Sequence, residues 1–271
     1  MSEKKTPFYD KHKELGAKIV SFAGYQMPMQ YSGIIDEHKA VRNNVGIFDV
    51  SHMGEFIIKG PDAEKFINKM TTNYITKLKP GKAQYNVMCY TDGGIVDDLI
   101  VYRFEDHFMM VVNASNIEKD FKWLQQNIRN EDVELLNESD NIGLLAVQGP
   151  DSIEILQKLT DIDLNEISFY NFVEYKIAGK KMTISRTGYT GEKGFELYHD
   201  PSDSEHLWEK IFEAGQEYGI QPAGLGARDT LRMEMKYALY GNDIDETTNP
   251  IEAGLSWITK LDKKDFIGKD A

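Results

Sequence analysis

An eleven-residue block occurs twice in this chain, as GPDAEKFINKM from residue 60 and as GPDSIEILQKL from residue 149. A short apolar run leads into each copy (EFIIKG, then GLLAVQG), so each reads as a strand, a Gly-Pro-Asp turn and a helix. The copies lie about ninety residues apart, far longer than a solenoid or propeller period. The repeat therefore predicts a duplicated half-domain with a pseudo-symmetric centre, and that centre is where a ligand is expected.

The segments between the copies support the same plan. Residues 36–44 read as a helix, followed by strand-like GIFDVSHMGEFIIKG. YNVMCY, IVDDLIVYRF and FMMVVNA then read as a three-stranded meander, because they are rich in β-branched and aromatic residues and are separated by Gly/Asp turns. A helix is predicted from Ser115, with Ser115 and Glu118 at capping-box spacing and Ile117, Phe121 and Leu124 on one face. The second half repeats the order with VEYKIAG, KMTISRTG and GFELYHD. Its following helix is capped by Ser202 or Asp203 and buries Leu207 and Ile211. A last helix, LGARDTLRMEMKYAL, precedes irregular YGNDIDETTNP. Antiparallel strands with flanking helices predict an α+β architecture. No linker divides the chain. The final residues, LSWITKLDKKDFIGKDA, read as the start of a further helix and suggest a missing downstream module.

Composition narrows the function classes. A net charge of −13 argues against a nucleic-acid partner, because neutralising phosphates needs a basic face. An anionic ligand would then need a local cluster, for which Lys77, Lys79 and Lys82 are the nearest candidates, against the plainer reading of a solvated turn. The single cysteine, Cys89, excludes an internal disulfide and any multi-cysteine metal site. The six histidines show no metal-ligand spacing. No apolar run reaches the length of a membrane span, and the N-terminus has no signal core, so a reducing cytoplasm is expected.

Several residues are candidates for chemistry. Asp97 and Asp98 lie inside the apolar run IVDDLIVY. Neighbours in a strand face opposite sides, so one carboxylate points to a packed face or cavity unless a bulge puts both in water. Glu196 lies in the apolar strand GFELY, either facing a ligand or facing solvent at a sheet edge. The preceding GYTGEKG is neither a phosphate-binding loop nor a dinucleotide fingerprint and reads as a tight hairpin. Arg228 and Arg232 share a helix face near Glu234, open to a structural ion pair or to a fork that grips a planar ligand. His52 and Met53 read either as pocket lining or as core, and so do Tyr85, Tyr170, Tyr189 and Trp257.

Together, SHMGEF, GGIVDDLIVY, VVNASNIEKDF, LLAVQGP, GYTGEKGFELY, GLGARDTLRMEM and YGNDIDETTNPIEAGLSW resemble the T-protein of the glycine cleavage system, a tetrahydrofolate-dependent aminomethyltransferase. The resemblance covers nearly the whole chain in the family's order. It implies a folate-binding fold of two interlocked β-α-β halves, here approximately residues 1–50 with 141–271, and 51–140, in one domain over 1–271. It also implies a C-terminal β-barrel that this chain lacks. Position by position, it implies Asp98 as the catalytic aspartate, and Asn113, Glu196 and Arg228 at the folate. Met53, Tyr85, Tyr170, Tyr189 and Trp257 would line the pocket. The implied substrates are tetrahydrofolate and the aminomethylated lipoyl group of the H-protein partner, with no metal and no membrane. The folate-dependent iron–sulfur maintenance proteins resemble the chain too, but they carry a cysteine where this sequence has Thr187, Gly188 and Tyr189. Folate-linked demethylases and sarcosine-type dehydrogenases share the scaffold, the latter joined to a flavin domain that this chain does not contain. A reading from another class is a truncated, non-catalytic folate-binding module.

Overall fold

The two copies of the repeated block fold alike, and for the same backbone reason. In the computed structural model, which describes residues 3–271, strand Gly54–Lys59 leads through Gly60 into helix Ala63–Met70, and strand Gly143–Gln148 leads through Gly149 into helix Ser152–Gln157. Both glycines have positive φ, 113° and 139°. A Cβ on Gly60 would lie 2.3 Å from the Asp132 carbonyl oxygen, and one on Gly149 would lie 2.3 Å from that of Asn44. The aspartate of each block donates its backbone N–H to that same carbonyl, Asp62 to Asp132 at 3.3 Å and Asp151 to Asn44 at 3.1 Å. Only glycine allows this close approach. Gly149→Ala is therefore expected to cost at least about 2 kcal/mol, from backbone strain plus the clash. Urea denaturation checks it, and an unchanged midpoint would contradict the account.

The chain divides into two units. One comprises the residues up to His52 together with Asp140–Tyr237, and the other comprises Met53–Ser139 with Ala238–Ala271. In the second unit a five-stranded antiparallel sheet runs, in spatial order, Lys82–Cys89, Ile95–Arg103, Phe108–Val112, Gly54–Lys59 and Glu134–Asn137. In the first unit the order is Phe172–Ile177, Lys180–Ser185, Gly194–His199, Gly143–Gln148, Gly46–Asp49 and Gln221–Pro222, antiparallel except for the last pair. Each sheet sets a three-stranded meander beside the strand that opens the repeated block, so the duplication is topological as well as sequential. The first unit also holds a small sheet of Lys4–Lys5, Tyr25–Gln30 and Lys18–Phe22. The architecture is α+β with mixed, largely antiparallel sheets.

Each sheet packs helices on one face. In the first unit Ile47, Leu145, Val147, Ile184, Phe195 and Leu197 meet Leu156, Leu207, Trp208 and Ile211. In the second, Phe56, Met88, Val96, Val101 and Met110 meet Phe66, Ile67, Met70 and Leu124. The opposite face of the second unit's sheet is covered as well. Val87, Cys89 and Ile95 are buried against Ile244, Leu255 and Ile258.

That second layer corrects the expected division. Residues 238–271 do not accompany 1–50 and 141–237, because their apolar side chains close the far face of the other unit's sheet. Three further details differ from expectation. Ser115 caps nothing: it is exposed within the 3-10 turn Ala114–Asn116, and helix Ile117–Asn127 starts after it without a side-chain cap. Residues 261–271 form turns rather than a new helix, although Lys263, Phe266 and Gly268 tie them down through buried contacts. Asp203 does occupy the N-cap position of helix Ser204–Gly215, yet its side chain makes no capping bond there. No helix among the described residues is long and apolar enough to cross a membrane.

Candidate functional site

The Asp97-Asp98 step is built by a break in strand pairing. Strand Ile95–Arg103 pairs with Lys82–Cys89, Val87 opposite Asp98 and Met88 opposite Asp97, and the register then shifts so that Cys89 faces Ile95. A bulge is thus present, but it does not release the carboxylates into water, and both aspartates are buried. Asp98 accepts a hydrogen bond from the Tyr85 hydroxyl at 2.8 Å and another from Asn113 Nδ2 at 3.0 Å. Asp97 accepts from the Asn113 backbone N–H at 3.0 Å, Asn113 Nδ2 at 2.9 Å and Asn116 Nδ2 at 2.6 Å. Asn113 follows strand Phe108–Val112 directly, so one side chain ties both acids to the neighbouring strand.

Burial pushes the Asp98 carboxyl up to about 7, and the Asp97 charge adds to the push, while Tyr85 and Asn113 oppose it. Such a group sits near its ionisation midpoint at neutral pH, where an acid can stabilise developing charge or exchange a proton. The Tyr85 ring stacks on Trp257 with centroids 5.9 Å apart and planes at 28°. Trp257 is 61% exposed, so this stack presents an indole face to solvent two groups away from Asp98. Met53, half-buried in the turn before strand Gly54–Lys59, belongs to the same unit.

The other unit gathers Glu196, Tyr189 and Arg228. Glu196 is half-buried on strand Gly194–His199, opposite Ser185 on one side and Ala146 on the other, and it accepts a bond from the Thr187 hydroxyl. It lies in the sheet's interior, so the edge-strand reading is replaced. Thr187 and Thr190 are fixed by Gln148, whose Nε2 donates to the Thr187 carbonyl at 3.2 Å and whose Oε1 accepts from Thr190 at 2.9 Å. A Cβ at Gly188 would lie 2.0 Å from that Oε1, which explains the glycine between them.

Arg228, near the start of helix Leu225–Glu234, places its guanidinium 4.4 Å from the Tyr189 ring centroid. Tyr189 itself stacks on Tyr237, centroids 5.8 Å apart. Burial lowers the Arg228 guanidinium, and the neighbouring Tyr189 and Glu196 counteract this. The expected sharing of roles along this helix is resolved by partners. Arg232 takes the structural ion pair with Asp229 at 2.8 Å, and Glu234 pairs with Arg42 at 2.9 Å. Tyr170 adopts φ 61° and donates its N–H to the Arg186 carbonyl at 3.0 Å, one strand pair away from Glu196.

His52 is buried, edge-on to Phe22 at 5.5 Å and Tyr25 at 6.5 Å. Burial and then the Arg228 charge push its imidazole down to about 3, so it is neutral. Lys77, Lys79 and Lys82 are exposed, with Lys77 seated 3.8 Å over the Tyr74 ring and Lys82 opening strand Lys82–Cys89. Three groups escaped the sequence reading. His12 bridges Asp49 and Tyr31, each at 2.8 Å, inside the first unit. Asn116 and Asp120 are buried beside Asp97, and Lys263 is buried among backbone carbonyls. Asp120 did carry a signal: it lies on the stripe of Ile117, Phe121 and Leu124 that faces the core.

Known proteins share the sequence and the fold of this chain. The GCVT N-terminal domain family matches residues 8–263. An aminomethyltransferase of Halothermothrix orenii is 55% identical over 269 residues, spanning 99% of this chain and 75% of the relative. One from Bacteroides fragilis is 58% identical over 269 residues, spanning 98% and 74%. The crystal structure of glycine cleavage system aminomethyltransferase T from Bartonella henselae has a TM-score of 0.92 at 35% identity, over 99% of this chain and 73% of that one. The chain belongs to the GCVT family of aminomethyltransferases. A chain of heterotetrameric sarcosine oxidase from Corynebacterium sp. U-96 shares the fold alone, at TM-score 0.50 and 17% identity over 68% of this chain and 92% of its own.

Proposed function

We propose that this chain moves the aminomethyl carbon from the dihydrolipoyl arm of a carrier H-protein to tetrahydrofolate in glycine catabolism, in the cytoplasm. The C–S bond breaks and its sulfur leaves as the thiol. The carbon becomes bonded to two folate nitrogens, which give up two protons, one to sulfur and one to the departing amine. The products are ammonia and methylenetetrahydrofolate. The observation that carries the reading is the buried Asp98 carboxyl, held by Tyr85 and Asn113 and poised near neutrality. Breaking the C–S bond develops positive charge on carbon and nitrogen, and a preorganised carboxylate in a dry site stabilises such charge better than water does.

Glu196, Tyr189 and Arg228 suit the co-substrate chemically. A pterin presents an amino group and a ring N–H side by side, and one carboxylate can accept from both. The Tyr189 ring offers a flat stacking face, and Arg228 suits an anionic tail. Incubation with aminomethylated lipoyl carrier and tetrahydrofolate should release ammonia. Folate binding without ammonia release would instead mark a non-catalytic binding module. Glu196→Ala is expected to weaken folate binding by tenfold or more, with the circular dichroism spectrum unchanged. Equal affinity by calorimetry would remove Glu196 from the site.

A further inference from the structure

Helix Ile117–Asn127 turns one acid into the core. Asp120 has no exposed surface, and no donor reaches either of its carboxyl oxygens. Lys119 Nζ stands 4.0 Å from Oδ1, beyond hydrogen-bonding distance; it donates to the Val96 carbonyl and lies 3.8 Å above the Tyr240 ring. What faces Asp120 is the carboxyl of Asp97. Asn116, the N-cap residue of the same helix and four residues before Asp120, donates to Asp97 Oδ1 at 2.6 Å, so this face of the helix meets Asp97, and the two acids influence each other's ionisation directly. Two carboxylates both accept, so the contact holds only with a proton between them.

The donors decide where that proton rests. Asp97 receives three N–H groups from Asn113 and Asn116, and Asp120 receives none. Burial raises the Asp97 carboxyl too, but these donors oppose it and nothing comparable opposes burial at Asp120, so the anion is Asp97 and the protonated partner is Asp120. Burial and the Asp97 charge both hold the Asp120 carboxyl well above the usual carboxylate range, with Asp98 adding to them and Lys119 opposing. The remaining titratable groups facing the cluster are Tyr85, which donates to Asp98, and Tyr90, Tyr240 and Glu246, and burial raises Tyr90 and Tyr240 further from ionisation.

We propose that Asp120 is a positioning residue: protonated at neutral pH, it donates to Asp97, and the anion so fixed sets the pH at which Asp98 ionises. The consequence for the reaction rests on the role proposed for Asp98, but the proton itself is observable without turnover. The test is carboxyl carbon NMR of the full chain labelled at aspartate, with pH titration. At pH 7 a protonated carboxyl signal should be present that disappears in Asp120→Asn. The Asp98 midpoint should stay within about 0.3 of a pH unit in Asp120→Asn, since one neutral donor replaces another. In Asp120→Ala the donor is gone, Asp97 gains proton affinity, and the Asp98 midpoint should fall by about one unit. The proposal fails if no protonated Asp120 signal exists, or if Asp120→Asn lowers the Asp98 midpoint as far as Asp120→Ala, because Asp120 would then carry a charge. It also fails if neither variant moves the midpoint. Should Asp120→Ala not fold, the wild-type signal and the Asp120→Asn titration decide alone. An inactive Asp98→Asn with no Asp120 proton would sink this inference and leave the proposed reaction standing.

Discussion

Asp98→Asn is expected to lower aminomethyl-transfer turnover by about a hundred- to a thousandfold, the loss typical of removing one preorganised charge-stabilising group. The amide keeps the shape and the acceptor for Tyr85, but it cannot carry negative charge, so folate binding should change much less than turnover. In the wild type, the carboxylate is the working form and its carboxyl is pushed up to about 7, so turnover should fall as pH drops below that value. Stability should move the other way. A raised carboxyl favours folding below the ordinary value of 3.8, and that advantage is lost as pH rises through about 7. Full ionisation of such a group costs up to about 4 kcal/mol of stability. Asn113 Nδ2 loses one of its acceptors in the variant while keeping Asp97 Oδ1 and the backbone carbonyl of residue 98, which subtracts roughly 1–2 kcal/mol. The variant should thus be about 2 kcal/mol more stable than wild type at pH 8 and show no such gain at pH 4. An active Asp98→Asn would take Asp98 out of the mechanism, and equal stability at both pH values would show that its carboxyl is not raised.

What was legible in the chain follows from which physical constraints act locally. Gly60 and Gly149 were visible because a positive-φ turn against a neighbouring carbonyl admits only glycine, and the demand is repeated in sequence. The acids of IVDDLIVY and GFELY stood out because strands rarely bury charge, although sequence left open where each one faces. The placement of residues 238–271 was not legible. Ile244, Leu255 and Ile258 are single apolar residues among turns, without a period, and their partners Val87 and Cys89 lie on a sheet face whose exposure depends on the assembled unit. Asp120 was hidden by a prior that is right for most helices, namely that an acid in an amphipathic helix faces water.

Lys263 was hidden the same way, inside the charged run DKKDF, and its replacement is expected to have the largest effect on stability. The side chain is buried, and Nζ donates to the carbonyls of Asn68 at 2.6 Å, Thr71 at 2.7 Å and Asn73 at 2.8 Å. An ammonium has three N–H bonds, so all three acceptors are met at once. Asn68 and Thr71 belong to the end of helix Ala63–Met70, where carbonyls lack intrahelical partners and the helix dipole favours a cation. Burial pushes the amine down to about 8, opposed by Asp265, so the charged form still dominates at neutral pH. Nearby backbone bonds, Lys260 N–H to Thr72 and Ile267 N–H to Lys69, fix the same segment against the same helix. Lys263→Met fills most of the volume but orphans three buried carbonyls, which should cost about 3–5 kcal/mol. Amide exchange across residues 238–271 should accelerate in step, because this lysine adds three hydrogen bonds to the two backbone bonds that join the segment to the helix end. A urea midpoint within about 1 kcal/mol of wild type would mean that water replaces the ammonium, and that the backbone bonds alone hold the segment in place.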